Sequence, residues 1–485
     1  VSGRRSPRRA GAGAPASGAG ASREGGGQAG ADELSQPGVA ARVTALRALQ
    51  RAREADTAAV SAVRAALTAS TLDRRDRALA ASLAYETLRW QGTLDWVLSH
   101  ASHRPLTSLD ADVRDALRLG AWQLLWGHAP DAAAVSTTVA AAGQVIGGRG
   151  RGFVNGVLRG LARRRDALAW PDRSCDEGLA LALGYPTWIV AEARARFGDE
   201  AEAVLAAGNV APGVTLRATG GPDARPALLA ELADEGIDAE PAPHAPESVR
   251  APGADPSRLA CVAQGRAVVQ DEASTLVGRC ALQAGPGVAP PADDVAVDVC
   301  AAPGGKARHL AEQGRTVIAG DVHPGRVASM ATDLATHPHR AAVHPVVADG
   351  RRPPLERSAA GVVLVDAPCS GLGVVRRQPE LRWRLAPDDV PRLAQRQHEL
   401  VTAAASLVAP GGLLIVSVCT WTPRETVIAA RHADAALGSA FTTEVATALG
   451  DPPEAQAREP GRQLAPHTDG VDGMYVTVRR RDPGA

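Results

Sequence analysis

Lysine is almost missing from this 485-residue chain: of its 53 basic side chains, all but Lys306 are arginine. Aromatic residues are scarce too, at 3%, which argues against an RNA platform of stacked Phe and Tyr. No apolar run approaches the roughly 18 residues a membrane span needs. The Gly-, Ala- and Arg-rich opening residues lack the apolar stretch of a secretory signal. Six scattered cysteines make no disulfide framework, and without a CxxC pair no zinc site is suggested. A reducing, cytoplasmic setting with no membrane and no metal is therefore expected. Net charge is missing as well: 53 acidic residues balance the 53 basic ones, so any arginine-rich face must be local.

What is present is enough for several cores. The length calls for two or three domains, and 45% hydrophobic residues can fill them. Residues 1–40 read as a disordered Gly/Ala-rich tail, solvated, with basic clusters at Arg4-Arg5 and Arg8-Arg9. Residues 41–166 are helical in period. Val154, Val157, Leu158 and Leu161 form one stripe, with Arg151, Arg159 and Arg163 off it. Leu117, Ala121 and Leu124 share a face, as do Val60, Val63 and Leu67, and Asp73 is placed to cap a further helix. Residues 167–287, rich in Pro and Gly, predict a small mixed α+β domain. From 288 to 481 the period changes to short β-branched runs separated by helices, the pattern of a doubly wound parallel sheet. The runs are 295–300, 316–320, 341–347, 361–365 and 413–418, and 474–479 predicts an antiparallel edge strand.

Ligands of such sheets bind at the carboxyl ends of the strands. An acidic residue follows each of the first four: Asp298, Asp321, Asp349 and Asp366. After the first comes Cys300-Ala301-Ala302-Pro303-Gly304-Gly305-Lys306, whose glycines let a ligand approach the backbone closely. The spacing is neither GxGxxG nor a P-loop. Asp321 lies about 20 residues beyond, where a carboxylate can accept from ribose hydroxyls. A ligand with ribose and adenine but no pyrophosphate fits, and S-adenosylmethionine is such a ligand.

Two further strand ends carry thiols. Asp366-Ala367-Pro368-Cys369-Ser370-Gly371 follows the fourth strand, and Cys419 follows the fifth. A lone cysteine beside an apolar run is usually a small core residue. Two at adjacent strand ends, beside a methyl donor, suit methylation of cytosine carbon 5. That carbon is a poor nucleophile until a thiolate adds to carbon 6. At an ordinary pKa of about 8.5 only a few per cent of a thiol is ionised at pH 7, and each unit of lowering is worth about 1.4 kcal/mol. Spacing places both thiols on one rim and does not rank them.

At these residues the chain resembles the bacterial RNA (cytosine-C5) methyltransferases of the RsmB (Sun/Fmu) type, which modify 16S rRNA. Asp298–Lys306 looks like motif I, Asp366–Gly373 like motif IV, running on through Arg376-Arg377-Gln378-Pro379-Glu380, and Val416–Thr420 like motif VI. The segment 41–166 resembles NusB, an RNA-binding fold, through Asp76-Arg77-Ala78, Tyr85–Arg89, Leu117–Leu124 and Phe153–Arg159. Val268–Ser274 resembles the segment preceding motif I.

The resemblance implies a NusB-like all-α domain, a small α+β linker domain and a Rossmann-like class I methyltransferase domain. It implies Cys419 as nucleophile and Cys369 in product release, with Lys306 and Asp366 between cofactor and base. S-adenosylmethionine contacts are implied for Cys300, Ala301, Pro303, Gly304, Gly305, Lys306, Asp321, Asp349 and Asp366. RNA contacts are expected from Arg77, Arg89, Arg151, Arg159, Arg376 and Arg377. The expected partner is 16S rRNA or a small-subunit precursor, bound by a monomer. The rivals are a tRNA-directed cytosine methyltransferase and a non-catalytic RNA-binding or assembly factor. Two departures stand out: after Cys419 only Glu425 remains of the usual Glu-Asn-Glu run, and Asp472-Gly473-Met474-Tyr475 replaces Asp-Gly with two aromatics.

Overall fold

The computed structural model describes residues 38–54, 58–284, 295–335 and 337–484. The tail expected over 1–40 lies, up to residue 37, outside them. Val39–Glu54 opens a helical domain that continues through Ala59–Thr68, Arg74–Arg89, Gln91–Ala101, Ala111–Trp126, Asp131–Ile146 and Gly148–Arg164. Asp73 caps its helix as expected, its carboxylate accepting from the Asp76 amide at 2.8 Å. The 154/157/158/161 and 117/121/124 stripes are buried together in one core. Each fully buried leucine there contributes about 1.5–3 kcal/mol relative to exposure. Val60 departs from its expected face: it stands exposed, because Ala59, Ala62, Val63 and Ala66 form the buried stripe of that helix.

The middle of the chain begins with three short helices, Asp176–Leu183, Thr187–Phe197 and Ala201–Ala207. An antiparallel sheet follows, built from β1 (Val214–Ala218), β2 (Glu240–Pro241), β3 (Ser248–Ala251) and β4 (Ala267–Val269) in the order β2-β3-β1-β4.

The large sheet contains β5 (Val295–Asp298), β6 (Thr316–Asp321), β7 (Val343–Val347), β8 (Ala360–Asp366), β9 (Val408–Val418), β10 (Phe441–Glu444), β11 (Arg462–Leu464) and β12 (Met474–Arg481). Its order is β10-β12-β9-β8-β5-β6-β7, with β11 beside part of β12. The five strands from β5 to β9 are parallel neighbours, and β12 lies antiparallel on β9. The expected edge position of β12 is corrected: β10 pairs along its outer side. β9 starts five residues before the apolar run, since Val408 pairs with Ala360 ahead of an irregularity at Pro410-Gly411-Gly412. Apolar residues on the two faces of this sheet form separate cores.

One segment docks the three parts together. Glu380 accepts from the Ala59 amide at 2.7 Å, capping a helix that has no cap of its own. The Trp383 indole donates to Leu88 O at 2.9 Å, and Arg384 donates to Ala52 O at 2.9 Å. Arg382 is fully buried and stacks 3.7 Å over the Tyr185 ring. Its guanidinium donates to Arg89 O at 3.1 Å, Asn209 Oδ1 at 2.7 Å and Gly208 O at 2.8 Å. Burial among carbonyls rather than carboxylates pulls its pKa down to about 10.

Candidate active site

The parallel strands end in a row. From β6 through β5 and β8 to β9, the terminal residues are Asp321, Asp298 and Asp366, with Cys419 one residue past β9. At a strand spacing of about 4.8 Å the row spans about 15 Å. Asp349 follows β7 by two residues and is held half-exposed by Arg351, which donates to it at 2.8 Å through Nη2. That hydrogen bond, with the Arg351 amide, holds the Asp349 carboxyl down at about 2.

Between β5 and the helix Gly305–Glu312 the chain turns at Gly304, whose φ of +101° lies in the left-handed region. A Cβ there would also stand 2.9 Å from Met330 Cγ, so the position excludes side chains twice over. The loop's Ala301 amide donates to Gly320 O at 2.7 Å, tying it to β6, while Pro303 is exposed and Cys300 half-buried. Burial pushes the Cys300 thiol far up, with help from the surrounding aspartates.

Lys306 is the second residue of that helix and reaches across the row, with Nζ 2.6 Å from Asp366 Oδ2. The other Asp366 oxygen accepts from Ser417 Oγ at 2.6 Å. Burial pulls the Lys306 pKa down, but the charge and hydrogen bond of Asp366 outweigh it, so the ammonium is held charged. Asp298 is the opposite case. Among the described residues neither of its buried oxygens has a hydrogen-bond partner, and burial, then the charge of Asp366, push its carboxyl up to about 7. An orphaned buried carboxylate beside a glycine turn, flanked by Asp321, is a site built to receive donors. It fits the ribose, amino and adenine groups of S-adenosylmethionine.

Cys369 and Cys419 meet at the end of this row, their sulfurs 3.3 Å apart and both half-buried. The hydrogen bond with Cys419, and then burial, push the Cys369 thiol well above its ordinary value. Below them, Ser370 Oγ and Thr420 Oγ1 lie 2.7 Å apart, and Glu425 accepts from the Ser370 amide at 2.8 Å. Gly373 packs backbone to backbone against the other loops. Its amide donates to Cys419 O at 3.0 Å, and a Cβ would stand 2.0 Å from Gly473 O. Leu372, Val375 and Trp421 carry these loops into the core of the 176–207 helices.

The arginines expected at RNA divide sharply. Arg89 and Arg376 are buried and are corrected to docking residues: Arg89 Nη2 donates to Arg376 O at 2.8 Å, and Arg376 pairs with Asp472. Arg377 joins the same cluster, donating to Asp472 and Asp271 at 2.7 Å each. Arg77 is half-buried and donates to Leu67 O at 2.8 Å, and Arg151 is half-buried beside Gly143. Arg159 stands exposed, with Arg163 one turn on. A sequence shows that these side chains are charged but not which of them are buried. Sequence reasoning also passed over Ser417, Gln397 and the Asp271–Asp472 cluster. No motif points to Gln397; Ser417 sits inside the motif VI segment, Asp271 in the segment before motif I and Asp472 in the departure near the end of the chain, but nothing in the sequence joins them.

A parallel sheet with this row of strand-end groups defines an S-adenosylmethionine-dependent methyltransferase. Residues 287–479 match the family model described as 16S rRNA methyltransferase RsmB/F. Residues 39–163 match the NusB family, and 185–254 match the ferredoxin-like domain of RsmF/B-like methyltransferases. The Mycobacterium tuberculosis (strain H37Rv) protein Rv1407, a methyltransferase by name, is 37% identical over 471 residues, 91% of this chain and 96% of that one. The ribosomal RNA small subunit methyltransferase B of Pseudomonas putida is 32% identical over 416 residues, 83% and 90% of the two chains. The crystal structure of PH0851 shares the fold, with a TM-score of 0.78 at 24% identity over 92% of this chain and all of that one. The chain belongs to the 16S rRNA methyltransferase RsmB/F family.

Proposed function

We propose that the protein methylates carbon 5 of a cytosine in small-subunit rRNA through a covalent adduct between Cys419 and carbon 6. The observation that carries this reading is the pair of thiols 3.3 Å apart at the end of the cofactor row. One thiol would suffice for a buried core residue, but two in contact at a ligand rim suit attack and release. The family resemblance gives attack to Cys419 and release to Cys369, and the 3.3 Å contact puts the Cys369 thiol within hydrogen-bonding reach of the Cys419 sulfur.

Attack of the Cys419 thiolate forms the S–C6 bond and moves an electron pair onto carbon 5. The electrophilic methyl group is what S-adenosylmethionine supplies when bound. Negative charge building on the pyrimidine is offset by the Lys306 ammonium, which Asp366 and Ser417 hold in place. Once the carbon-5 pair has formed the bond to the methyl group, the carbon-5 proton passes to solvent water, the C5–H pair re-forms the C5–C6 double bond, and the S–C6 bond breaks with its pair on sulfur. Cys369, already hydrogen-bonded to that sulfur, gives its proton to the departing Cys419 thiolate. The helical domain holds the rRNA, with Arg159 on its exposed surface as a phosphate contact.

The test is transfer from methyl-labelled cofactor to small-subunit rRNA, followed by nucleoside digestion. The expected product is 5-methylcytidine, absent with Cys419→Ala. Label on another base, or on tRNA in place of rRNA, contradicts the proposal.

A further inference from the structure

The sheet alone does not align the two cysteines. The last paired residues of β8 and β9 are Asp366 and Ser417, followed by one more rung from the Ala367 amide to Ser417 O at 2.9 Å. Cys369 lies three residues beyond Asp366, whereas Cys419 lies two beyond Ser417. Each thiol therefore sits in a loop past the end of the ladder, and the offsets differ.

A single carboxylate bridges those loops. Glu425 is 2% exposed, and its Oε1 accepts from the Ser370 amide at 2.8 Å and from Gln397 Nε2 at 3.1 Å. Its Oε2 accepts from Ser370 Oγ at 2.6 Å and from Thr422 Oγ1 at 2.8 Å. With Thr420 Oγ1 as a fifth donor at 3.5 Å, the acceptor sites of the carboxylate are filled. Thr420 Oγ1 is 2.7 Å from Ser370 Oγ, so the residue after each cysteine touches its counterpart. Gln397 Nε2 also donates to Pro368 O at 3.1 Å, which ties down the residue before Cys369.

We propose that Glu425 is the positioning residue of the two-thiol site: it clamps the Cys369 and Cys419 loops together and so sets their sulfur-to-sulfur distance. Among the described residues it makes no hydrogen bond to either sulfur; it acts through the loops, and its charge adds to the raised Cys369 thiol. The functional half rests on the reading that both thiols serve one cytosine, whereas the geometric half stands without it.

The measurement is chelation by phenylarsine oxide, a trivalent arsenical that binds two adjacent thiols with loss of water. Peptide mass mapping locates it, and methylation kinetics run in parallel on the full chain. In the intact protein the arsenical bridges Cys369 and Cys419. Glu425→Ala, checked for an unchanged thermal transition, slows that chelation by about tenfold and lowers kcat by about a hundredfold, with KM for RNA unchanged. Glu425→Gln keeps the shape and one acceptor oxygen, and it restores chelation to within about threefold of the intact rate. Chelation at the intact rate in folded Glu425→Ala would overturn the proposal. If Glu425→Ala does not fold, Ser370→Ala decides: slower chelation supports the clamp and an unchanged rate overturns it. Slowed chelation in an enzyme that makes no 5-methylcytidine leaves the clamp standing and removes the methylation reading instead.

Discussion

The sulfur of Cys369 lies 3.3 Å from the sulfur of Cys419, although the two residues occupy separate loops after neighbouring parallel strands. A contact that close makes each thiol part of the other's environment. It raises the pKa of Cys369, and burial raises it further.

Removing one partner should therefore change the other. In Cys419→Ala the hydrogen bond that raises Cys369 is gone, so its pKa falls toward the ordinary value of about 8.5. A larger thiolate fraction at pH 8 follows, and alkylation of Cys369 by iodoacetamide becomes faster than in the intact protein. Mass-spectrometric alkylation rates across pH 6–10 check this. A Cys369 rate unchanged by the substitution would remove the hydrogen bond as the cause.

Asp298 predicts a pH dependence of stability. Its folded carboxyl sits at about 7, above the unfolded value of about 3.9. The folded state therefore holds a proton that the unfolded chain gives up, and between these two values stability falls as pH rises. Asp298→Asn removes the penalty. Without cofactor, the variant should be more stable than the parent at pH 7–8, by up to a few kcal/mol, and equal to it below about pH 4. Thermal scans across pH measure the difference, and cofactor titration should show weaker binding by the variant.

Much of this architecture was legible in advance. The parallel strands announce themselves as β-branched runs, four of them ending in or soon followed by an aspartate. The loop after β5 is legible because its paired glycines mark a turn, at which Gly304 takes a positive φ, and because Lys306 is the chain's single lysine. The edge of the sheet was not legible. β10 is Phe-Thr-Thr-Glu, too short and too polar to carry a period, and it forms because β12 offers it an unpaired side. Arg89 and Arg376 read as phosphate contacts because a sequence displays charge without burial. Glu425 was visible as the remnant of an acidic run, but its five donors come from Ser370, Gln397, Thr420 and Thr422, and only the folded loops bring these together.

Arg382 predicts how strongly the domains are joined. Arg382→Ala removes the donor for Arg89 O, Asn209 Oδ1 and Gly208 O and leaves a void over Tyr185. A buried acceptor left without its donor costs about 1–3 kcal/mol. The expected result is a lower thermal transition and faster proteolytic release of the helical domain. An unchanged cleavage rate would mean that the docking does not depend on this residue.

The most direct test of the account is the fate of the covalent protein–RNA adduct in two single variants. Each is incubated with small-subunit rRNA and S-adenosylmethionine, then resolved under denaturing conditions. With Cys419 as nucleophile and Cys369 serving release, Cys369→Ala should accumulate a denaturant-resistant adduct and Cys419→Ala should form none. An adduct formed by Cys419→Ala would contradict the assignment at its centre.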